Sequence, residues 1–534
     1  MVFKQAASMR PFSKLMRSSK APNKTDVLPT SGSSHPATPP SSNDDQRSTE
    51  FDEKAQIANT TGPITDTNCR SSAEPQSQQH WNYPRINVPR LIFAFLTFLI
   101  AGMNDSAIGA LIPSIQADYG LSYAMVSLIL LAPMTGYTVA SLLNEPMHKH
   151  YGQRGIGFVA GLCHIITYVV VSQNPPFPVV VVINSLSGFG NGLTDACYNA
   201  WVGCMANADA VQGIMHSTYS AGGVIAPLIV TGLVIDAQNG WWYFYYPMIA
   251  IGVLEWIGLT MTFWRQTGAV YRLESARIEE KDDDSIGQQR EERVTDEERD
   301  TTVLGSDETT IAIKQKSAKT KKNSRLLETL KSRVVWHCAI FFFTYMGIEV
   351  GLGGWVNTFM LRVRHTSAKT AQYSNMGFWL GMTVGRASLG FVTNHFGEQR
   401  CVPVYIFLAL ALQLVFWLVR QYIVSAVAVA LLGVFLGPMF PACAMKGANL
   451  LPKHMHVAGL GFAMALGGVG GTVAPYAIGA IAGHAGVGVL PPIVFGMEVV
   501  LLALWLTFPK AKKVARGQEQ QTKREPWWKR WVRL

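Results

Sequence analysis

The chain has 534 residues, of which 49% are hydrophobic and only 15% charged, with a formal net charge of +10; soluble domains carry about 25% charged residues. That deficit excludes a water-soluble protein. Lys and Arg gather in the tails, the central stretch and some short connections while the apolar segments are nearly uncharged, which fits orientation in a bilayer better than nucleic-acid binding.

Residues 1–84 are rich in Ser, Thr, Pro, Asn and Gln, as in "PTSGSSHPATPPSSNDDQ". Such a segment cannot bury enough apolar area to offset its ordering entropy, so a disordered cytosolic tail is expected. The first apolar block, Val88 to Pro113, starts too late in the chain for a cleaved signal peptide. From there the sequence predicts twelve segments of the ~20-residue length a spanning helix needs, beginning near residues 89, 124, 153, 179, 212, 242, 334, 371, 402, 422, 456 and 490. The expected fold is an all-α membrane protein of twelve transmembrane helices in two six-helix halves, residues 85–264 and 333–509. Between them residues 265–332, with "RIEEKDDD", "REERVTDEERD" and "KQKSAKTKK", read as a flexible charged cytosolic linker. Residues 510–534 are expected to be a basic cytosolic tail; its end, "REPWWKRWVRL", suits an interfacial helix on anionic lipid, with a solvated tail as the alternative.

The two halves read as copies of one unit. Gly102 and Gly347, Gly152 and Gly397, Gly188 and Gly433, Gly192 and Gly437, and Gly222-Gly223-Val224 and Gly467-Gly468-Val469 all stand 245 positions apart. Parallel six-helix repeats around a site near the bilayer midplane are the organisation of secondary transporters.

A carboxylate at bilayer depth costs about 2.5–3.5 kcal/mol even on the lenient insertion scale, so acids inside the spans are candidate functional groups. The first span places Asn104 and Asp105 at its middle, near Gly102 and Gly109; Asp105 is the leading candidate for a proton or substrate site. In the fourth span Asp195 lies one turn from Asn191 and one from Asn199, forming a polar stripe, with Trp201 as a flat aromatic surface of the kind that holds polar rings. Helix-to-helix hydrogen bonding is the alternative for both acids. Glu349 occupies the repeat position of Asn104 (104 + 245 = 349) and is expected to face the same cavity from the second half, together with Trp355. Glu255 and Glu498 lack such support and are expected to pair with neighbours or to lie near an interface. His216 is a further titratable group near a helix end. No nucleophile–base set, metal-ligand spacing or phosphate-cradling loop accompanies these acids, so no catalytic residues, no metal and no cofactor are expected.

These features resemble the major facilitator superfamily. "HKHYGQRG" after the second span and "GRASLGFVTNHFGEQR" after the eighth are similar to its gating-loop motif, carried here by Gly152 and Arg154 in the first copy and by Gly390, Asn394, His395, Gly397 and Arg400 in the second. Lys149 stands where the first copy usually has its acid. Within the superfamily, "NDSAIGALIP" and "GNGLTDACYNAW" resemble the first- and fourth-helix motifs of the fucose permease and its fungal relatives. That resemblance implies proton coupling and substrate binding at Asp105 and Asp195, the latter one methylene shorter than the subfamily's Glu.

The expectation is therefore a proton-coupled carrier of a small organic solute, working as a monomer by alternating access, with lipid, protons and solute as its partners and no nucleic acid. The alternatives are an efflux pump for a fungal secondary metabolite or toxin and a transporter-like receptor. Both termini are expected in the cytosol, in the plasma membrane or the vacuolar membrane.

Overall fold

The computed structural model describes residues 79–273, 331–451 and 455–509. Most of the expected N-terminal tail and central linker, and the tail from 510, lie outside the described residues. The described chain is helical, and ten of its helices are long and apolar enough to cross a membrane. Twelve spans follow from these ten. One of them, Tyr123–Val171, has 49 residues and is broken at Gly152, where φ 68° and ψ −170° leave the helical region. A further 29-residue helix, Ala368–Phe396, falls outside the ten because its inward face is polar, with Gln372, Asn375 and Arg386.

In chain order the spans are α1 (Asn87–Tyr119), α2 (residues 123–151), α3 (residues 153–171), α4 (Phe177–Gly203), α5 (Ala208–Val230, continued by a π-helical turn Thr231–Asp236) and α6 (Trp241–Thr262). The second half comprises α7 (Arg333–Arg362), α8 (Ala368–Phe396), α9 (Glu398–Leu418), α10 (Tyr422–Leu450), α11 (His456–Ala485) and α12 (Val487–Leu506). We call the end of the bundle at Tyr119 and Arg362 distal, and the end at Gly152 and Gly397 proximal.

The surface is built for lipid. Leu142 (73% exposed), Val182 (71%) and Met261 (69%) face outward, while Asn104, Glu255, Glu349, Gln413 and Glu498 are buried. Hydrogen-bond capacity is thus concentrated inside, as a hydrocarbon surround demands.

The 245-residue repeat is present in three dimensions. Gly152 (φ 68°) and Gly397 (φ 88°) both make sharp helix-to-helix turns that only glycine adopts without strain. Gly136 on α2 abuts the backbone of Ser185 and Phe189 on α4; Gly381 on α8 abuts the backbone of Ala430 and Val434 on α10. All three positions shift by 245. Each close approach places two helix backbones nearly in contact, the geometry small residues permit in membranes. A Cβ at Gly381 would overlap backbone atoms, which no rotamer can relieve. Gly381→Val is therefore expected to cost about 3 kcal/mol or more, visible as loss of a monodisperse peak and of thermal stability in detergent; an unchanged melting profile would contradict the close approach.

At the proximal end Arg154 ties the Gly152 turn to the end of α6. Its backbone N–H donates to Gln266 O (3.1 Å), and its guanidinium lies over the Trp264 ring at 4.8 Å. Arg272 donates to Lys149 O, so residues 265–273 pack back onto this turn. The second copy is more open: Gly390 and Gly397 have free space around them and Arg400 is exposed. The side chain of Asn394 lies outside the described residues.

Candidate functional site

Asp105 stands 18 residues into the 33-residue α1, about 27 Å along its axis at 1.5 Å per residue and so at mid-bundle. It is half-buried. Its Oδ2 accepts a hydrogen bond from Tyr219 Oη of α5 (2.8 Å), and Asn104 Nδ2 approaches Oδ1 at 3.5 Å. Asp195 on α4 accepts from Asn199 Nδ2 at Oδ1 (2.7 Å) and at its carbonyl (2.9 Å), the i, i+4 stripe anticipated from spacing. Tyr137 of α2 lies within electrostatic reach of both carboxylates.

From the second half comes an ion pair. Arg386 Nη2 on α8 donates to Glu349 Oε1 of α7 at 2.6 Å, with side chains 7% and 2% exposed. The same nitrogen donates to Tyr345 Oη (3.1 Å). Nη1 crosses to the first half, donating to His216 O (3.2 Å) and to Ser220 Oγ on α5. Glu349 is within electrostatic reach of Asp105, and Tyr219, bonded to Asp105, senses Glu349 as well. Asp105, Tyr219, Glu349 and Arg386 therefore form one polar cluster in which the two halves meet. Arg386 joins the halves directly here, through Glu349 and Tyr345 on its own side and through His216 O and Ser220 Oγ on the other.

Not every expected site residue joins this cluster. Trp201 is 4% exposed and packs edge-on against Phe263 at 5.2 Å, within the core of its own half. Trp355 is buried on α7, donating through Nε1 to Pro475 O of α11 (2.8 Å) with Tyr123 of α2 edge-on at 6.0 Å; it packs between the halves towards the distal end. His216 contributes its carbonyl, while its ring packs between Phe98 and Phe440. Glu255 pairs with His164, and Glu498 stays buried on α12.

Arg386 and Tyr219 are not singled out by the sequence reading. Arg386 had a signal: it is a charged residue inside a span, and the rule applied to acids covers bases equally. Tyr219 had none, because a tyrosine in an apolar helix is ordinary.

The halves are stitched on the distal side of this cluster. Asn357 Nδ2 and Gln372 Nε2, from α7 and α8, both donate to Ala110 O of α1 (3.0 and 2.8 Å), in a turn where Pro113 removes an intrahelical donor. Gly109 abuts the backbone of Gly353 and Gly354. At the rim Lys369 Nζ lies 2.7 Å from Asp236 Oδ1, both half-exposed.

Residues 94–475 match the Major Facilitator Superfamily model, more than half of the chain, so the protein belongs to that superfamily; it is a multi-pass secondary transporter, not an enzyme. It is 29% identical over 444 residues to "Bypass of stop codon protein 6" of Saccharomyces cerevisiae, covering 80% of this chain and 84% of the yeast protein. It is 24% identical over 316 residues to the "Hexuronate transporter" of Bacillus subtilis, covering 59% and 66% of the two chains. The crystal structure of a D-xylose-proton symporter shares the fold with a TM-score of 0.58 at 14% identity, covering 80% of this chain and 98% of that one.

If transport requires the distal rim to part, joining Asp236→Cys to Lys369→Cys with a short bifunctional maleimide is expected to stop solute movement, while each single variant leaves it intact. Full transport by the completely crosslinked protein, verified by mass, would mean the rim does not move.

Proposed function

We propose that this protein is a proton-coupled carrier of a small hydroxyl-bearing organic solute of the sugar or sugar-acid class, working as a monomer by alternating access. The observation that carries the reading is the meeting of Asp105–Tyr219 from one half with Glu349–Arg386 from the other at mid-bundle. Asp105 is the proton site; Asp195 and Asn199, with Tyr137, offer hydroxyl-binding groups on the facing helices; Arg386 and Glu349 report the state of the first half to the second. The B. subtilis relative is a hexuronate transporter, and the hydroxyls and carboxylate of such a sugar acid match this mixture of acceptors and donors. The fucose-permease-like motifs around Asp105 and Asp195 support the same class.

The proximal end is the cytosolic one in this reading: the short proximal connections (Lys149, Arg154, Arg400, Lys446) are balanced by the distal ones (Arg362, Arg364, Lys369, Arg420), and the flanks Arg85 and Arg90, the basic end of the central stretch and the basic C-terminal tail tip the count. The distal stitching then describes a protein closed to the outside, in the plasma or vacuolar membrane. Purified protein in liposomes, screened for solute-driven proton entry against pooled sugars, sugar acids, other organic acids and hydrophobic metabolites, tests the proposal. Proton entry with a sugar or sugar-acid pool supports it. Entry only with hydrophobic metabolites favours the efflux reading, and silence with every pool overturns proton coupling.

A further inference from the structure

Outside that cluster, α3 and α6 meet at a second pair of ionisable groups. His164 Nδ1 lies 3.0 Å from Glu255 Oε2 and 3.2 Å from Oε1, and both side chains are fully buried. Apolar residues of similar volume often brace two helices as well as or better than a buried ion pair, because desolvation offsets the attraction. A mechanical brace is thus a weak reason to keep a charge pair here, and ionisable groups at bilayer depth are functional candidates by default.

The location gives the pair something to act on. The Nε2 edge of His164 is pressed against α4: a Cβ at Gly190 would stand 2.8 Å from it, so glycine is what admits the imidazole. The next residue, Asn191, starts the polar stripe that leads in one turn to Asp195. Towards α1, His164 and Asp105 lie within electrostatic reach of each other. The other ionisable groups around the pair are Tyr168 on α3, stacked on the imidazole at 6.2 Å, Tyr198 on α4, which senses Glu255, and Tyr245 of α6 behind Tyr168 at 6.1 Å.

We propose that His164 and Glu255 form a second protonation unit of the first half, a positioning pair at the α3–α6 contact that acts on Asp105 through space by holding or releasing one buried charge. This rests on Asp105 being the proton site. With imidazolium and carboxylate both present the pair is neutral as seen from α1. After loss of its proton it carries one negative charge, which opposes an ionised Asp105. The three groups then exchange protons as one coupled set, with titration behaviour that belongs to the set and not to any single member.

The test needs no solute. Full-length protein in lipid nanodiscs is titrated by infrared difference spectroscopy, and the carboxylic C=O band lost in Asp105→Asn identifies Asp105. His164→Gln and Glu255→Gln are each expected to move the midpoint of that band by about half a pH unit or more, and Tyr168→Phe to leave it in place. The double variant His164→Gln/Glu255→Gln leaves no buried charge unpaired, so it keeps the measurement possible if a single variant fails to fold. A midpoint unchanged in every folded variant refutes the pair's role while leaving Asp105 as the proton site. An Asp105 band that does not titrate between about pH 4 and about pH 9 in the unaltered protein removes the proton site itself and the pair's role with it.

Discussion

Asp105→Asn is expected to reduce solute accumulation driven by a pH gradient to the level of empty liposomes, while exchange of labelled for unlabelled solute at equal concentration continues. The amide is nearly isosteric with the carboxyl and its oxygen still accepts the Tyr219 hydroxyl now at 2.8 Å, so α1 stays fastened to α5 and folding is preserved. What the amide cannot do is take up and release a proton. Exchange needs only that the halves rock with solute bound; accumulation needs a proton to ride with them. Loss of both activities in a well-folded variant would recast Asp105 as a solute ligand, and retention of both would remove it from the mechanism.

Arg386→Gln is expected to lower stability by about 3–5 kcal/mol, the cost of leaving one member of a buried pair alone, and to abolish transport. Glu349 is 1% exposed, its Oε2 has no hydrogen-bond partner among the described residues, and its Oε1 is held by Arg386. Glu349→Gln is expected to cost less, since Arg386 retains Tyr345 Oη, Ser220 Oγ and His216 O as acceptors. The double variant Arg386→Gln/Glu349→Gln is expected to recover most of the stability and none of the transport, which separates the pair's structural role from its functional one. Thermal unfolding in detergent followed by tryptophan fluorescence measures the first and liposome flux the second. A stable, fully active double variant would mean the ion pair has no part in the cycle.

The yeast relative extends the fold family across most of this chain, yet the polar groups of the cluster are not duplicated with the repeat. The position equivalent to Asp105 is Val350, to Asp195 Phe440, and to Arg386 Ser141. The packing glycines recur at 245 residues while the ionisable groups do not. Shared backbone with divided chemistry suits a carrier whose halves are alike in packing but present different polar groups to each other.

The sequence by itself determined the all-α membrane fold, the starts of the spans and the mid-helix position of Asp105 in the first of them. These follow from one-dimensional rules: a bilayer needs about 20 apolar residues per crossing, and a residue's place within such a run sets its depth. Tertiary structure alone decided which side chains meet. Glu255 found His164, Glu349 found Arg386, Ala110 O collected two amides from the opposite half, and Trp201 turned into its own core. These outcomes depend on how each helix is rotated about its axis and how far it slides along its neighbour. A lipid-embedded helix is apolar on nearly every face, so its sequence carries little periodicity to report that rotation, and in lipid the rotation is fixed by close packing and hydrogen bonding between helices.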